Sequence, residues 1–208
     1  CGAGDPLIST EQAYSGDNAV VIENEADLLH LTELFSEGKF AVNFRMFIPD
    51  EHTAYFNVLQ DHDLTIGALW GLQAFFDANG EGTIDAGGYG SATFNYNYNA
   101  WMYMNVVVDL DQDTAQFFIN NEFIHGWEWS SGIAGTGGWQ TFEGVDFYAW
   151  SGSDPCKFFV DNFKLVQLYP PSASLTYNIF RDGSMLSNTA NTTYMDSNPG
   201  PGYHEYCV

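Results

Sequence analysis

The stretch from Trp101 to Trp129 is the feature that most constrains how this chain folds. Its apolar side chains recur with a period of two: Met102, Met104, Val106 and Val108 fall on one side, and the other side includes Trp101, Tyr103, Asn105 and Asp109. This period is typical of a β-strand that buries one face. The stretch therefore predicts a strand whose Met/Val side faces a hydrophobic core.

Two turn sequences divide the stretch further. Residues 109–113 (DLDQD) are rich in Asp, which bonds its own backbone in turns and is unfavourable in strands. Asn120 and Asn121 tolerate positive φ and suit a tight hairpin. We therefore expect two more strands, over Thr114–Ile119 and Glu122–Trp129.

The same alternation recurs through most of the chain. From Lys39 onward, Phe56 and Val58 share one parity while Tyr55 and Asn57 share the other, and Gly- or Asn-rich turns separate the strands. No segment is long enough for the crossover helices of a parallel sheet. The pattern predicts an all-β fold, a two-sheet antiparallel sandwich. Residues 24–38 (NEADLLHLTELFSEG) fit either a helix or a strand.

Pro170 and Pro171 mark a boundary in the chain. We expect one domain over residues 1–169 and a linker with a short β extension over residues 170–208. The extension is too short to close a sandwich by itself. It is either part of a second module or a partner for a sheet edge.

The charge excludes two classes of partner. Five Lys and Arg residues stand against 27 Asp and Glu, a formal net charge of −22. Such a chain repels nucleic acid and anionic lipid, whereas a secreted protein or a divalent cation site is compatible with it. No apolar run reaches the length of a membrane span, and no signal peptide is visible. We expect a secreted chain, processed from a longer precursor.

Three cysteines are too far apart for a metal site: Cys1, Cys156 and Cys207. One disulfide with one unpaired thiol, or three reduced thiols, both fit this count.

Several segments resemble the laminin G-like modules of secreted Bacteroidetes multidomain proteins. They include GKFAVNFRMFIP, GVDFYAW, KFFVDNFKL and, most specifically, FINNEFIHGWEW. The resemblance covers most of residues 14–168. It implies a concanavalin A-like jelly roll, with residues 28–31 in a strand. The tail from Leu175 to Val208 resembles the middle of a fibronectin type III-like repeat.

Catalytic motifs are missing from the sequence. Glycosidases that share the jelly-roll fold carry an E-x-D-x-(x)-E pattern, and the spacing of Glu23, Glu25 and Asp27 does not match it. There is no nucleophile elbow, HExxH or phosphate-binding loop. The sequence therefore predicts a protein that is not an enzyme.

The polar and aromatic parity of the strands predicts a ligand-binding face. Aromatic rings there would stack on sugars, while Arg, Asn and Asp would bond their hydroxyl groups. The predicted ligand-binding residues are Arg45, Tyr55, Trp101, Tyr103, Asn105, Asp146, Tyr148 and Trp150. A face on which these aromatic residues only pack together is the alternative.

The resemblance also implies a structural calcium ion. In related sandwich modules an Asp of the last strand helps to hold Ca²⁺, which corresponds to Asp161, and the turn that contains Asp17 would supply further oxygens. Asp109, Asp111 and Asp113 lack the Gly and the distal Glu of an EF-hand loop, so we expect a hairpin turn there.

Together these features predict a carbohydrate-binding or adhesion module at a bacterial surface, with a polysaccharide or cell-surface glycan as its partner. The alternative is a subunit of an extracellular filament, assembled head to tail with copies of itself by strand exchange through the tail.

Overall fold

The computed structural model describes residues 4–63, 65, 67–150, 154–169, 177–189, 191 and 193–208. The chain divides into two compact units, Cys1–Tyr169 and Pro170–Val208. Cys1 and the Pro170–Pro171 pair, on which the predicted cysteine pairing and linker depend, lie outside the described residues. Among the residues described, no helix is both long enough and apolar enough to cross a membrane.

Where the structure describes it, the first unit is built from strands and one short 3₁₀ helix, Trp129–Ser131. The strands are β1 (Leu7–Ser9), β2 (Ala19–Glu23), β3 (Asp27–Phe35), β4 (Lys39–Phe47), β5 (Ala54–Asp63), β6 (Gly67–Phe76), β7 (Glu81–Asp85), β8 (Ala92–Asn95), β9 (Trp101–Asp109), β10 (Thr114–Ile119), β11 (Glu122–Glu128), β12 (Phe142–Tyr148) and β13 (Lys157–Tyr169).

These strands form two sheets. The seven-stranded sheet has the order β1-β2-β13-β4-β9-β10-β11, and the six-stranded sheet has the order β3-β12-β5-β6-β7-β8. Every named strand pair in them is antiparallel. The prediction of an all-β, two-sheet antiparallel sandwich is confirmed.

The core lies between the two sheets. Met102, Met104, Val106 and Val108 of β9 are buried, as their period-two spacing predicts. Phe44 of the seven-stranded sheet meets Phe56 and Phe147 of the six-stranded sheet edge to face, with ring centroids 5.0 and 4.9 Å apart. Such pairs prefer this geometry because the positive ring edge meets the negative ring face.

The hairpin between β10 and β11 forms where the sequence predicts it. Asn120 and Asn121 have φ values of 52° and 68° and join the two paired strands. The turn between β9 and β10 is likewise a hairpin, as predicted for residues 109–113. Asp113 accepts hydrogen bonds from the amide and hydroxyl of Ser130, 2.8 and 2.6 Å away. Its carboxylate thus fixes the turn to the start of the 3₁₀ helix.

Residues 24–38, whose sequence fits either a helix or a strand, contain the edge strand β3. β3 pairs with β12 alone, and Leu29, Leu31 and Leu34 remain more than a third exposed. Its leucines have helical spacing, but pairing with β12 satisfies the backbone hydrogen bonds of β3 along one side. The strand implied by the resemblance is confirmed.

The second unit is a three-stranded antiparallel sheet. It contains β14 (Tyr177–Arg181), β15 (Ser184–Thr189) and β16 (Tyr206–Cys207), in the order β15-β14-β16. Arg181 and Tyr206 both bind the Asp196 carboxylate, at 2.7 and 2.8 Å. Cys207 is exposed and carries a free thiol, whereas the free thiol of Cys156 is buried in the first unit. The likeness of this unit to a fibronectin type III repeat stays a prediction.

Candidate functional site

The outer face of the six-stranded sheet carries a row of polar side chains. In β5, Phe56 and Val58 point into the core, so the alternation of the strand turns Tyr55 and Asn57 to the opposite face. The register places Asn57 between Asp146 of β12 and Gln73 of β6. Strand pairing thus brings together three polar residues that are distant in sequence.

Aromatic side chains surround this polar row and form a cleft of about 570 Å³. Tyr55 lies opposite Phe75 in the register, with their ring centroids 5.0 Å apart. Trp150 meets the Phe75 ring edge to face at 5.6 Å. We call this site the cleft, and it is lined by Asp27, Tyr55, Asn57, Trp70, Gln73, Phe75, Asp146, Tyr148 and Trp150.

A hydrogen-bond network fixes the polar side chains of the cleft. The Asn57 Nδ2 atom donates to Asp146 Oδ2 at 2.8 Å and to the Tyr55 hydroxyl at 3.2 Å. Gln73 Nε2 donates to the same hydroxyl at 2.8 Å. Burial raises the pKa of Tyr55 to about 12, so the phenol stays protonated. Since its oxygen already accepts from two amides, its own hydrogen is left for a third partner.

Two buried oxygen atoms of the cleft have no hydrogen-bond donor among the described residues. They are Asn57 Oδ1 and Asp146 Oδ1. Asn57 as a whole is only 1% exposed. Leaving a buried polar atom without a partner is costly, and such atoms are uncommon in folded proteins. The cleft therefore offers acceptors that a bound hydroxyl group would satisfy.

Asp146 and Asp27 form a pair of carboxyl groups at one side of the cleft. Burial, and then the hydrogen bond and negative charge of Asp27, raise the pKa of Asp146 to about 7, against the opposing donation from Asn57. Two carboxylates cannot hydrogen bond to each other unless one carries a proton. The pair therefore holds one hydrogen below neutral pH, and this hydrogen gives Asp146 a second partner.

The structure divides the predicted ligand-binding residues between two sheets. Tyr55, Asp146, Tyr148 and Trp150 line the cleft, whereas Arg45, Trp101, Tyr103 and Asn105 lie in β4 and β9 of the other sheet. The expectation of one shared face was wrong, because alternation along a strand does not reveal which sheet the strand joins.

The residues of the seven-stranded sheet form a separate surface cluster. The Arg45 guanidinium carbon lies 4.3 Å from the ring centroid of Tyr14 and 4.8 Å from that of Tyr103. Trp101 packs on Tyr14 at 5.9 Å, and the Tyr103 hydroxyl donates to Asn43. We call Tyr14, Arg45, Trp101 and Tyr103 the Arg45 cluster. Its groups are largely occupied with each other.

Three residues that line the cleft, Gln73, Phe75 and Asp27, are not among the predicted ligand-binding residues. Gln73 and Phe75 share the outward parity of β6 and could have been found by that signal. In the sequence, Asp27 stands out only through its spacing to Glu23 and Glu25, which matches no glycosidase motif. Its partner Asp146 lies far away in the sequence, and Asp27 reaches it only because β3 pairs with β12. No linear motif would reveal this carboxyl pair.

Asp161 does not fit the predicted calcium site. Its Oδ2 atom accepts the amide hydrogens of Tyr14 and Ser15 at 2.8 and 3.0 Å, and its Oδ1 atom accepts that of Asn162 at 2.6 Å. Amide donors thus occupy the side of the carboxylate that a cation would need. Asp17 is exposed, and the described part of the chain holds no group of three His, Cys, Asp or Glu residues suited to a metal.

Sequence comparison finds no match to protein-family models and none to curated proteins. Solved structures do match. The alginate lyase A1-II′ of family 7 superposes with a TM-score of 0.58 and 9% identity, over 79% of this chain and 82% of the lyase. The Trypanosoma rangeli sialidase superposes with a TM-score of 0.56 and 10% identity, and the match covers 82% of this chain but only 30% of the sialidase.

A third match is the carbohydrate recognition domain of Emp46p in its metal-free form. It gives a TM-score of 0.50 and 10% identity, over 78% of this chain and 86% of that domain. No match separates laminin G-like modules from other members of the fold, so that finer assignment stays a prediction.

The prediction that the chain is not an enzyme is corrected by these matches, because alginate lyases and sialidases share its fold. That prediction rested on missing linear motifs, which test only a few catalytic geometries. The carboxyl pair of the cleft shows how acidic groups can meet without any such motif. At these identities the matches show the fold alone: the first unit is a jelly-roll sandwich.

Proposed function

We propose that the first unit binds a polysaccharide in the cleft of its six-stranded sheet. The observation that carries the proposal is the Asn57 side chain, which is buried and held by two hydrogen bonds from its Nδ2 atom. Its Oδ1 atom has no hydrogen-bond partner among the described residues. A fixed amide that presents a free acceptor beside aromatic rings suits a sugar hydroxyl.

The rim of the cleft supplies the apolar part of such a site. Trp70, Tyr148 and Trp150 are 37%, 36% and 45% exposed, which leaves ring area for stacking. A pyranose ring presents C–H groups on its faces and hydroxyl groups at its edge. Its faces would stack on these rings while its hydroxyls reach the polar row.

The names of the matching structures also support a carbohydrate ligand. Two are named as an alginate lyase and a sialidase, and the third as a carbohydrate recognition domain.

We further propose that the protein acts outside the cell at a bacterial surface, in adhesion or glycan capture. Its acidic composition, −22 in formal charge, supports this location, and fractionation of the producing cells tests it.

Affinity electrophoresis against soluble polysaccharides tests the binding proposal. We expect Trp150→Ala to weaken retention about tenfold, the effect of roughly 1.4 kcal/mol of lost stacking and burial. Trp139→Ala is the matched control, because Trp139 lies outside the cleft and is also 45% exposed.

Two further variants decide between the faces. Asn57→Leu should abolish retention, whereas Trp101→Ala in the Arg45 cluster should leave it unchanged. Retention that depends on Trp101 and not on Trp150 would contradict the proposal. Chromatography of the same incubations reports whether the glycan chain is also cut.

A further inference from the structure

The Lys and Arg residues of the first unit all lie in the sheet that does not form the cleft. Of the five Lys and Arg residues, none is in a strand of the six-stranded sheet. Four are in the seven-stranded sheet, and one is in the second unit, where it binds Asp196. They are Lys39, Arg45, Lys157, Lys164 and Arg181.

Three of the four cations in the first unit are also engaged. Lys39 pairs with Asp109 at 3.0 Å, and Lys157 pairs with Glu11 and Glu23 at 2.8 and 3.2 Å. Arg45 lies between the rings of Tyr14 and Tyr103. Lys164, the fourth, lies in β13 of the same sheet and is not among the residues that line the cleft. The described residues of the first unit therefore place no Lys or Arg side chain in the cleft to neutralise an anion.

The cleft itself is acidic. Asp27 and Asp146 line it, and the charge of Asp85 also reaches Tyr55 in the same network. Neither a Lys, an Arg nor a His lines it. A carboxylate on a bound sugar would thus face the acidic groups of the cleft without a counter-charge. Like charges in contact repel each other more strongly when they are partly shielded from water.

Hydrogen bonding favours the same kind of ligand. Once the carboxyl pair has lost its shared hydrogen, the groups left to a ligand are mostly acceptors: Asn57 Oδ1, and the carboxyl oxygens of Asp27 and Asp146. A sugar hydroxyl can donate to each of them, and can accept the hydrogen of the Tyr55 phenol. An ionised uronate carboxyl group has no hydrogen to donate, so any of these acceptors that it faced would stay unsatisfied.

We propose that the cleft selects neutral polysaccharides and rejects polyuronates. The proposal rests on the proposed glycan binding by this cleft and specifies the class of ligand. It also separates the chain from the alginate lyases that share its fold, since alginate is a polymer of uronic acids.

The test compares polymers that differ only in charge. Polygalacturonate and its fully methyl-esterified form share one backbone, and neutral β-glucans, xylans and galactans, together with alginate, complete the panel. We expect at least one neutral polymer to bind, and the esterified polymer to bind at least 100-fold more tightly than the acid if it binds at all. Measurements at pH 8 and 150 mM salt keep the uronates ionised and reduce long-range repulsion from the whole protein.

A charge variant assigns the cause of the selection. The double variant Asp27→Asn/Asp146→Asn should reduce discrimination against the acid at least tenfold. The double variant Asp17→Asn/Glu33→Gln removes the same net charge from exposed positions outside the cleft and should preserve discrimination.

The outcomes separate the two proposals. If polyuronates bind as tightly as neutral polymers and Trp150→Ala abolishes this binding, the proposed selection is wrong, whereas the proposed glycan binding by the cleft stands. If both double variants reduce the discrimination between neutral polymers and polyuronates equally, the carboxyl pair is not its cause. Binding to no polymer in the panel would overturn glycan binding and the selection with it.

Discussion

The carboxyl pair of the cleft makes the stability of the first unit depend on pH. The pKa of Asp146 is raised from 3.8 to about 7, chiefly by burial and then by Asp27. The folded state therefore holds this proton more tightly than the unfolded chain does. Its contribution to stability is fully present below about pH 4, is lost as the pH rises to about 7, and does not change above that.

The magnitude follows from the shift. A rise of about three units corresponds to an upper value of about 4 kcal/mol, and solvent at the mouth of the cleft reduces this to about 2 kcal/mol. The groups that face Asp146 are Asp27 from β3 and Asn57 and Tyr55 from β5. Tyr55 stays protonated across this range, so it adds no titration of its own.

Asp146→Asn removes this titration while keeping the contacts. An amide can donate to Asp27 through its nitrogen and accept from Asn57 through its oxygen at any pH. We expect the variant to match the wild type near pH 4 and to be about 2 kcal/mol more stable at pH 8. Urea unfolding followed by Trp fluorescence measures this for the first unit alone, since all six Trp residues precede residue 170.

Glu33→Gln is the control, because it removes one exposed charge from the same sheet as the carboxyl pair. Its pH profile should follow the wild type. If Asp146→Asn shows the same loss of stability between pH 4 and pH 7 as the wild type, the proton is not shared in the folded state and the reasoning is wrong.

Two further predictions concern packing and the loop contacts. Gly71 lies against the buried Trp129 ring, which an added Cβ would overlap, so Gly71→Ala should cost about 1–3 kcal/mol in urea unfolding. Gly126→Ala, where the nearest atom is 3.4 Å away, should cost less, and equal losses would contradict this packing. Asp161→Ala should lower the melting temperature by a few degrees through lost hydrogen bonds, equally with and without EDTA. A wild type that EDTA destabilises to the level of this variant would restore the calcium site.

The sheets were predictable because one interaction dominates them. Met102, Met104, Val106 and Val108 alternate because one face of β9 is buried, and this constraint is local to the strand. The helix-or-strand ambiguity of residues 27–35 could not be resolved locally. Pairing with β12, which follows much later in the chain, decides it.

The cleft was only partly predictable for the same reason. Tyr55 and Asp146 could be assigned to outward faces, but the sheet that each strand joins depends on long-range pairing. Trp101 and Tyr103 have the same local pattern as Tyr55 and Tyr148, yet they lie in the other sheet. Asp27 acquires its role only through its contact with Asp146.

The position of β13 has a consequence for synthesis of the protein. This strand lies between β2 and β4 in the seven-stranded sheet, although it is the last strand of its unit to be translated. The two earlier strands emerge from the ribosome with unpaired backbone edges. At elongation rates of roughly 5–20 residues per second they wait on the order of ten seconds for their partner. The nascent chain therefore offers exposed edges to chaperones during this interval, and premature termination before Lys157 would leave a sheet without the strand that joins β2 to β4.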